Sequence, residues 1–97
     1  MTLIRILPEA SEELEASIHY YESQQAGLGL AFLSEFKRTR ERIEELPKAG
    51  RPVRGDIRRR PVHRFPYAVL YRVTDVEIVI IAVAHRRRRP GFWRNRE

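Results

Sequence analysis

The sequence predicts an α+β domain with an N-terminal strand and an antiparallel helix hairpin packed on a mostly antiparallel four-stranded sheet, in the chain order β-αα-β-β-β. Three observations predict it. Apolar residues recur at helical spacing in the first half and at strand spacing after residue 55. A break at residues 24–29 (QQAGLG) divides the helical half in two. The most apolar stretch, residues 77–84 (EIVIIAVA), comes late and reads as a strand covered by the hairpin. At 97 residues the chain is expected to form one domain over 1–97, with residues 85–97 as a basic-aromatic tail.

Residues 2–7 (TLIRIL) form the first strand, with β-branched and aliphatic residues around one arginine. Pro8 stops it and suits the first turn of a helix, where a missing N–H costs nothing. Glu9, Glu12 and Glu13 place negative charge at that helix N-terminus, where the macrodipole favours it. Ala10, Leu14, Ile18 and Tyr21 mark one buried face. The second helix runs from Leu28 or Gly29 to Leu46. Its buried stripe is Phe32, Leu33, Phe36, Ile43 and Leu46, with Lys37, Arg38, Glu41, Arg42, Glu44 and Glu45 in solvent. Pro47 closes it, and the short connection makes the two helices antiparallel. Residues 48–55 (KAGRPVRG) read as a loop. Residues 56–63 (DIRRRPVH) hold a basic strand in which Pro61 implies an edge or a bulge. Residues 67–73 (YAVLYRV) are a strand, Thr74-Asp75 a tight turn, and 77–84 the last and central strand. Counting directions makes the last three strands an antiparallel meander. It sets the first strand antiparallel to the last, beside which it is available to pair. The face away from the hairpin is left open, bordered by the arginine-bearing strand.

Charge narrows the function classes. Residues 1–46 hold five basic and nine acidic groups, net −4; residues 47–97 hold fourteen basic and four acidic groups, net +10. Such asymmetry points to a polyanionic partner. The absence of cysteine excludes disulfides, thiolate zinc sites and cysteine nucleophiles. His19 and His63 lack partners at ligand spacing, so neither a metal nor a cofactor is expected. P-loop, dinucleotide-turn and serine-elbow motifs are absent. The longest apolar run, 76–84, is far below the ~20 residues that span a bilayer, and the N-terminus lacks a signal-peptide layout. A cytoplasmic protein with no membrane partner is expected.

Two constellations remain. Arg58, Arg59, Arg60 and Arg64 place four guanidinium groups close together, Arg58 and Arg60 on one strand face and Arg59 on the other. Guanidinium forks suit phosphate or carboxylate oxygens. The same block also serves to keep an edge strand from aggregating, and the residues leave both readings open. The run Arg86, Arg87, Arg88 and Arg89 repels itself and calls for a neutralising partner. Phe92 and Trp93 beside it complete an arginine–aromatic layout of the kind used on RNA and single strands. The plainer readings are a solvated terminus and a Trp93 folded back over the sheet edge. His85, at the end of the apolar strand, suits acid–base work on an RNA 2′-hydroxyl; a histidine that hydrogen-bonds a neighbouring backbone group is the plainer reading.

The segments Pro8-Glu9-Ala10, Tyr20-Tyr21-Glu22, Gly27-Leu28-Gly29 before Phe32-Leu33, and Ile43 to Pro47 then form a pattern with later ones. These are Ile57-Arg58-Arg59, Arg64-Phe65-Pro66-Tyr67, Val69-Leu70-Tyr71-Arg72, Ile81-Ala82-Val83-Ala84-His85, Arg88-Arg89-Pro90 and Trp93. In this order, over nearly the whole chain, they resemble the RelE/ParE superfamily of toxins from bacterial type II toxin–antitoxin systems, most of all the ParE-like, plasmid-stabilisation branch. The resemblance implies two activities. The RelE-like branch cuts mRNA in the ribosome with a basic cluster and a C-terminal aromatic; the ParE-like branch is associated with poisoning DNA gyrase. RelE-like nucleases usually carry a basic residue after the aromatic that begins the third strand, and here Ala68 follows Tyr67. Trp93, in place of the C-terminal aromatic, cannot donate a hydroxyl. The expectation is a ParE-like toxin acting on DNA gyrase. A cognate antitoxin, ParD-like or other, neutralises it as a hetero-oligomer through an acidic C-terminal segment. Arg58, Arg60, Arg64, Arg86, Arg88, Arg89 and Trp93 are the candidate partner-binding residues. The alternative is a ribosome-dependent mRNA endonuclease using Arg58, Arg59, His85, Arg87 and Trp93. A second alternative is a non-toxic, basic nucleic-acid-binding module.

Overall fold

The computed structural model describes residues 3–96. Thr2 and Glu97, the expected limits of the first strand and of the tail, lie outside the described residues. The elements are β1 (Leu3–Ile6), α1 (Pro8–Gln24), α2 (Leu28–Glu45), a 3-10 turn (Pro47–Ala49), β2 (Arg51–Arg54), β3 (Ile57–Pro61), β4 (Tyr67–Val73) and β5 (Glu77–His85). They form one sheet in the order β1-β5-β4-β3-β2, with the helix hairpin on one face. No helix among the described residues is long and apolar enough to cross a membrane.

The expected α+β order holds, with one strand more than the sequence reading placed. That strand is β2, inside the segment read as a loop. Its composition hides it: Pro52 removes a donor, and all four residues are exposed. It pairs antiparallel with β3 at the sheet's outer edge, where an exposed proline is tolerated. This one strand reverses the direction count. β1 was expected antiparallel to the last strand; it runs parallel to β5, with Leu3 opposite Glu77 and Ile6 opposite Ile80. Pro61 stands at a local edge of an otherwise interior strand. β3 is flanked on both sides, but its pairing with β2 begins at Arg59 opposite Arg51, so nothing on that side needs the N–H that Pro61 lacks. Register shifts lie elsewhere, between Pro52 and Arg54 where β2 pairs with β3, and between β4 and β5. Leu70 pairs with Ala82 but Tyr71 with Ile80, leaving Ile81 as the extra residue.

Side-chain alternation gives the sheet two covered faces. Tyr67, Val69 and Val83 face the hairpin, and Ala68, Leu70 and Ala84 face away. On the hairpin side, Ala10 and Ser17 of α1 are buried, with Leu14, Ile18 and Tyr21 half-buried against the core. From α2 the buried residues are Gly29, Phe32, Glu35, Phe36, Thr39 and Ile43. Leu46, expected in that stripe, is 61% exposed because the helix ends at Glu45 and the chain turns away. The buried hydroxyls of Ser17 and Thr39 donate to the carbonyls of Glu13 and Glu35, four residues back.

The hairpin turn explains residues 22–29. Gly27 has φ 89°, a left-handed conformation that glycine adopts without strain. The Glu22 carboxylate accepts the N–H groups of Gly27 at 3.0 Å and Gly29 at 3.0 Å, satisfying orphan donors at the start of α2 with a negative charge. Gly29 must lack a side chain, since a Cβ there would stand 2.6 Å from the carbonyl oxygen of Ile18. Next to it, Tyr21, Phe32, Phe65 and Tyr67 form an aromatic cluster with ring centroids 4.9 to 6.0 Å apart. This cluster pins the β3–β4 connection to the hairpin and fixes the sheet end from which the tail departs.

Candidate functional site

The sheet face away from the hairpin carries a cleft of about 470 Å3. Its floor is apolar: Ala68 and Leu70 from β4, Ala84 from β5, and Trp93, which is 7% exposed. Its rim is cationic, with Arg54 from β2, Arg59 from β3, and Arg86, Arg88, Arg89 and Arg94 from the tail. No carboxylate among the described residues lines it. Strand alternation decides which arginines arrive here. Arg59 pairs with Leu70 and shares its face, whereas Arg58 and Arg60 pair with Tyr71 and Val69 and share the opposite one. Arg58 donates to the carbonyl of Gly50 at 2.9 Å.

Residues 86–96 form a series of backbone turns laid across the face. Arg86 donates its N–H to Pro66, Arg88 to His85, Arg94 to Gly91 and Arg96 to Trp93. Gly91 sits at φ 78°, permitting the reversal that returns Trp93 to the sheet. The Trp93 indole is folded back onto the face, between the cleft and the β2–β3 turn at the sheet's edge. Phe92 lies between two guanidinium groups, 3.9 Å from that of Arg88 and 5.0 Å from that of Arg96.

One carboxylate balances part of this charge. Glu13, on α1, accepts both arms of the Arg96 fork at 2.8 and 2.9 Å, and stands 3.7 Å from Arg88. The hydrogen bond to Glu13 holds the Arg96 guanidinium proton more firmly than usual. Glu13, read from the sequence as charge for the helix N-terminus, is thus a largely buried structural ligand. A signal for it existed. Glu13 falls at steps of three and four between Ala10 and Ser17, both buried, so it shares the inward flank of α1. Arg54, Arg94 and Arg96 were likewise not singled out from the sequence, because isolated arginines carry no spacing signal.

The structure brings Arg59, His85, Arg86, Arg88, Arg89 and Trp93 to the cleft and leaves Arg58, Arg60, Arg64 and Arg87 outside its lining. Arg64 adopts φ 73° in the β3–β4 connection and stacks on Phe65 at 5.5 Å. His85 accepts the N–H of Arg87 on Nδ1 at 3.0 Å, and its ring meets Tyr67 edge-on at 5.1 Å. Its Nδ1 is thereby committed to the backbone turn. Among the described residues no group of three or more His, Cys, Asp or Glu is placed to hold a metal. Chemically, the cleft offers guanidinium forks around an apolar floor, an arrangement for binding anionic groups.

A family model described as the ParE toxin of type II toxin–antitoxin system, parDE, matches residues 4–90. Among solved structures, the chromosomal ParDE system from P. aeruginosa matches with a TM-score of 0.78 and 20% identity, over 88% of this chain and 96% of that chain. At that identity the likeness is one of fold. No curated protein matches the chain.

Proposed function

The chain belongs to the ParE toxin family of type II toxin–antitoxin systems, and from that premise we propose that it arrests growth by acting on DNA gyrase and is neutralised by a cognate antitoxin. The observation that carries the gyrase reading over RNA cleavage is Ala68. It lies buried in the cleft floor, flanked by Leu70 and Ala84, at the position where RelE-like nucleases carry a basic residue. A floor without a proton-transfer group, facing a histidine whose Nδ1 already accepts a backbone hydrogen bond, supports binding rather than bond cleavage. The antitoxin reading rests on charge. Arg54, Arg59, Arg86, Arg89 and Arg94 make no ion pair among the described residues, and an acidic segment supplies carboxylates for them.

The test is inducible expression of the chain alone and with the antitoxin encoded beside it, followed by plasmid topology and mRNA mapping. Growth arrest with altered supercoiling, intact mRNA and rescue by the antitoxin is the expected result. Purified gyrase whose supercoiling is untouched by the purified protein would falsify the gyrase assignment. A second reading has one observation in its favour: Arg59 and His85 line the same cleft. Under that reading translated mRNA is cut, and the double variant Arg59→Ala, His85→Ala abolishes cutting.

A further inference from the structure

Glu13 does more than pair with an arginine. β1 ends at Ile6 opposite Ile80, so beyond it β5 is paired only with β4 and has no strand on the β1 side. There the Glu13 carboxylate accepts the N–H of Val83 at 3.1 Å, standing in for an absent strand. The same oxygen accepts Arg96 Nη1 at 2.8 Å, and that nitrogen also donates to the carbonyl of Ile81, the bulged residue, at 3.1 Å. Glu13 and Arg96 are 14% and 15% exposed, so water competes weakly for these bonds. Arg88, the second guanidinium at this carboxylate, is a cleft-rim residue. Phe92 fills the space between the two arginines, and Trp93 follows it onto the floor.

We propose that Glu13 is the positioning residue of the arginine cleft: a clasp reaching from α1 that sets where the tail, with Phe92, Trp93 and Arg94, stands over the sheet. The helix hairpin and the open face of the sheet are thereby coupled through one carboxylate at the sheet edge. When the clasp opens, the tail turns away at His85–Arg86, the Trp93 indole leaves Leu70 and Ala84, and the cleft loses one wall. Release and docking of the tail are then a local equilibrium, separate from unfolding of the hairpin and sheet. The proposal concerns how the site is held and stands whichever target the toxin has.

Trp93 is the sole tryptophan, so its fluorescence reports the tail directly. Glu13→Gln and Arg96→Ala are each expected to shift its emission to the red and increase acrylamide quenching. Both should also speed tryptic cutting within residues 86–94 about tenfold, as for loss of one charge-assisted hydrogen bond. Arg96→Lys keeps the charge without the fork and is expected to fall between. Glu12→Gln, on the exposed neighbour, is expected to leave all readouts unchanged. Helical circular dichroism and cutting at exposed sites of α2 are expected to stay as in the parent. Two results would overturn the proposal: Trp93 emission and tail cutting unchanged in both principal variants, or changed only in step with cutting throughout the chain. Should Glu13→Gln fail to fold, Arg96→Ala decides alone, because its side chain lies outside the hairpin core.

Discussion

Single residues set several of the tolerances of this fold. Gly29 and Gly27 stand two positions apart and are required for different reasons. At Gly29 an added methyl meets the backbone of Ile18, so the helices must separate; at Gly27 space is open and only the left-handed φ is strained. Gly29→Ala is therefore expected to cost about 2 kcal/mol, lowering the melting midpoint by roughly 10 °C. Gly27→Ala should cost about 1 kcal/mol. Equal losses in thermal melts would show that the close approach is not limiting. Tyr71 is the largest fully buried side chain, and its hydroxyl donates to the carbonyl of Pro47 at 2.7 Å, tying β4 to the end of α2. Burial raises its pKa above the ordinary 10.0, opposed by a hydrogen bond from the Gly50 backbone and then by the charges of Arg60 and Arg58. The folded state thus holds this proton more tightly than the unfolded chain. The stability it contributes is complete below about pH 10 and is lost as pH rises through the folded value. Tyr71→Phe should lose ~1 kcal/mol at pH 7 through the missing hydrogen bond and show a shallower loss of stability from pH 10 upward. An unchanged alkaline slope in melts at pH 8 to 11 would assign that loss to another group, the first being Tyr21, whose pKa burial also raises.

At the scale of elements, the junctions carry the information. The α1–α2 turn works because Glu22 reaches across it to the N-terminus of α2. Glu22→Gln should cost about 0.5–1 kcal/mol, and the difference from the parent should shrink in 1 M salt, where the charge–dipole part is screened. Differential scanning calorimetry at two ionic strengths checks it. The direction of β1 is another junction effect. A hidden strand of four residues between α2 and β3 reverses the count, which turns the expected antiparallel neighbour of β5 into a parallel one. The amphipathic helices and the strands β3, β4 and β5 were legible because burial on one or both faces imposes a period on the sequence. β2 was not, because an exposed edge strand containing proline has no apolar period to show.

At the scale of the whole molecule, the two charged halves turn into two faces. The acidic half builds the hairpin over one side of the sheet and lends one helix carboxylate, Glu13, to hold the basic half that frames the other side. The candidate site was partly legible. Arginine runs beside Phe92 and Trp93 marked the tail, and strand alternation separated Arg59 from Arg58 and Arg60. Its composition as a cleft was not, since Arg54 and Arg94 lie forty residues apart in sequence and meet only across the sheet. The triple variant Arg54→Gln, Arg59→Gln, Arg89→Gln should leave the melting midpoint within a few degrees, because none of these groups is ion-paired among the described residues. On the proposed function, it should slow association with the antitoxin about tenfold at low salt, an effect that vanishes near 0.5 M. Stopped-flow association across a salt series measures this, and a salt-independent rate for the parent would remove the electrostatic role of the rim.

The α+β class, the hairpin, the meander and the uneven charge were determined by the sequence alone. They follow from local periodicity, from breakers such as Pro8, Gly27 and Pro47, and from counting charges. Only the tertiary structure decided the direction of β1, the covered position of Trp93, and the joining of Glu13 to Arg88 and Arg96. Each depends on which residues distant in the chain share one small volume. A hydrogen-bonded fork between Glu13 and Arg96 leaves no trace in the local pattern of either segment, because its geometry exists only once the sheet has brought α1 and the tail to the same edge.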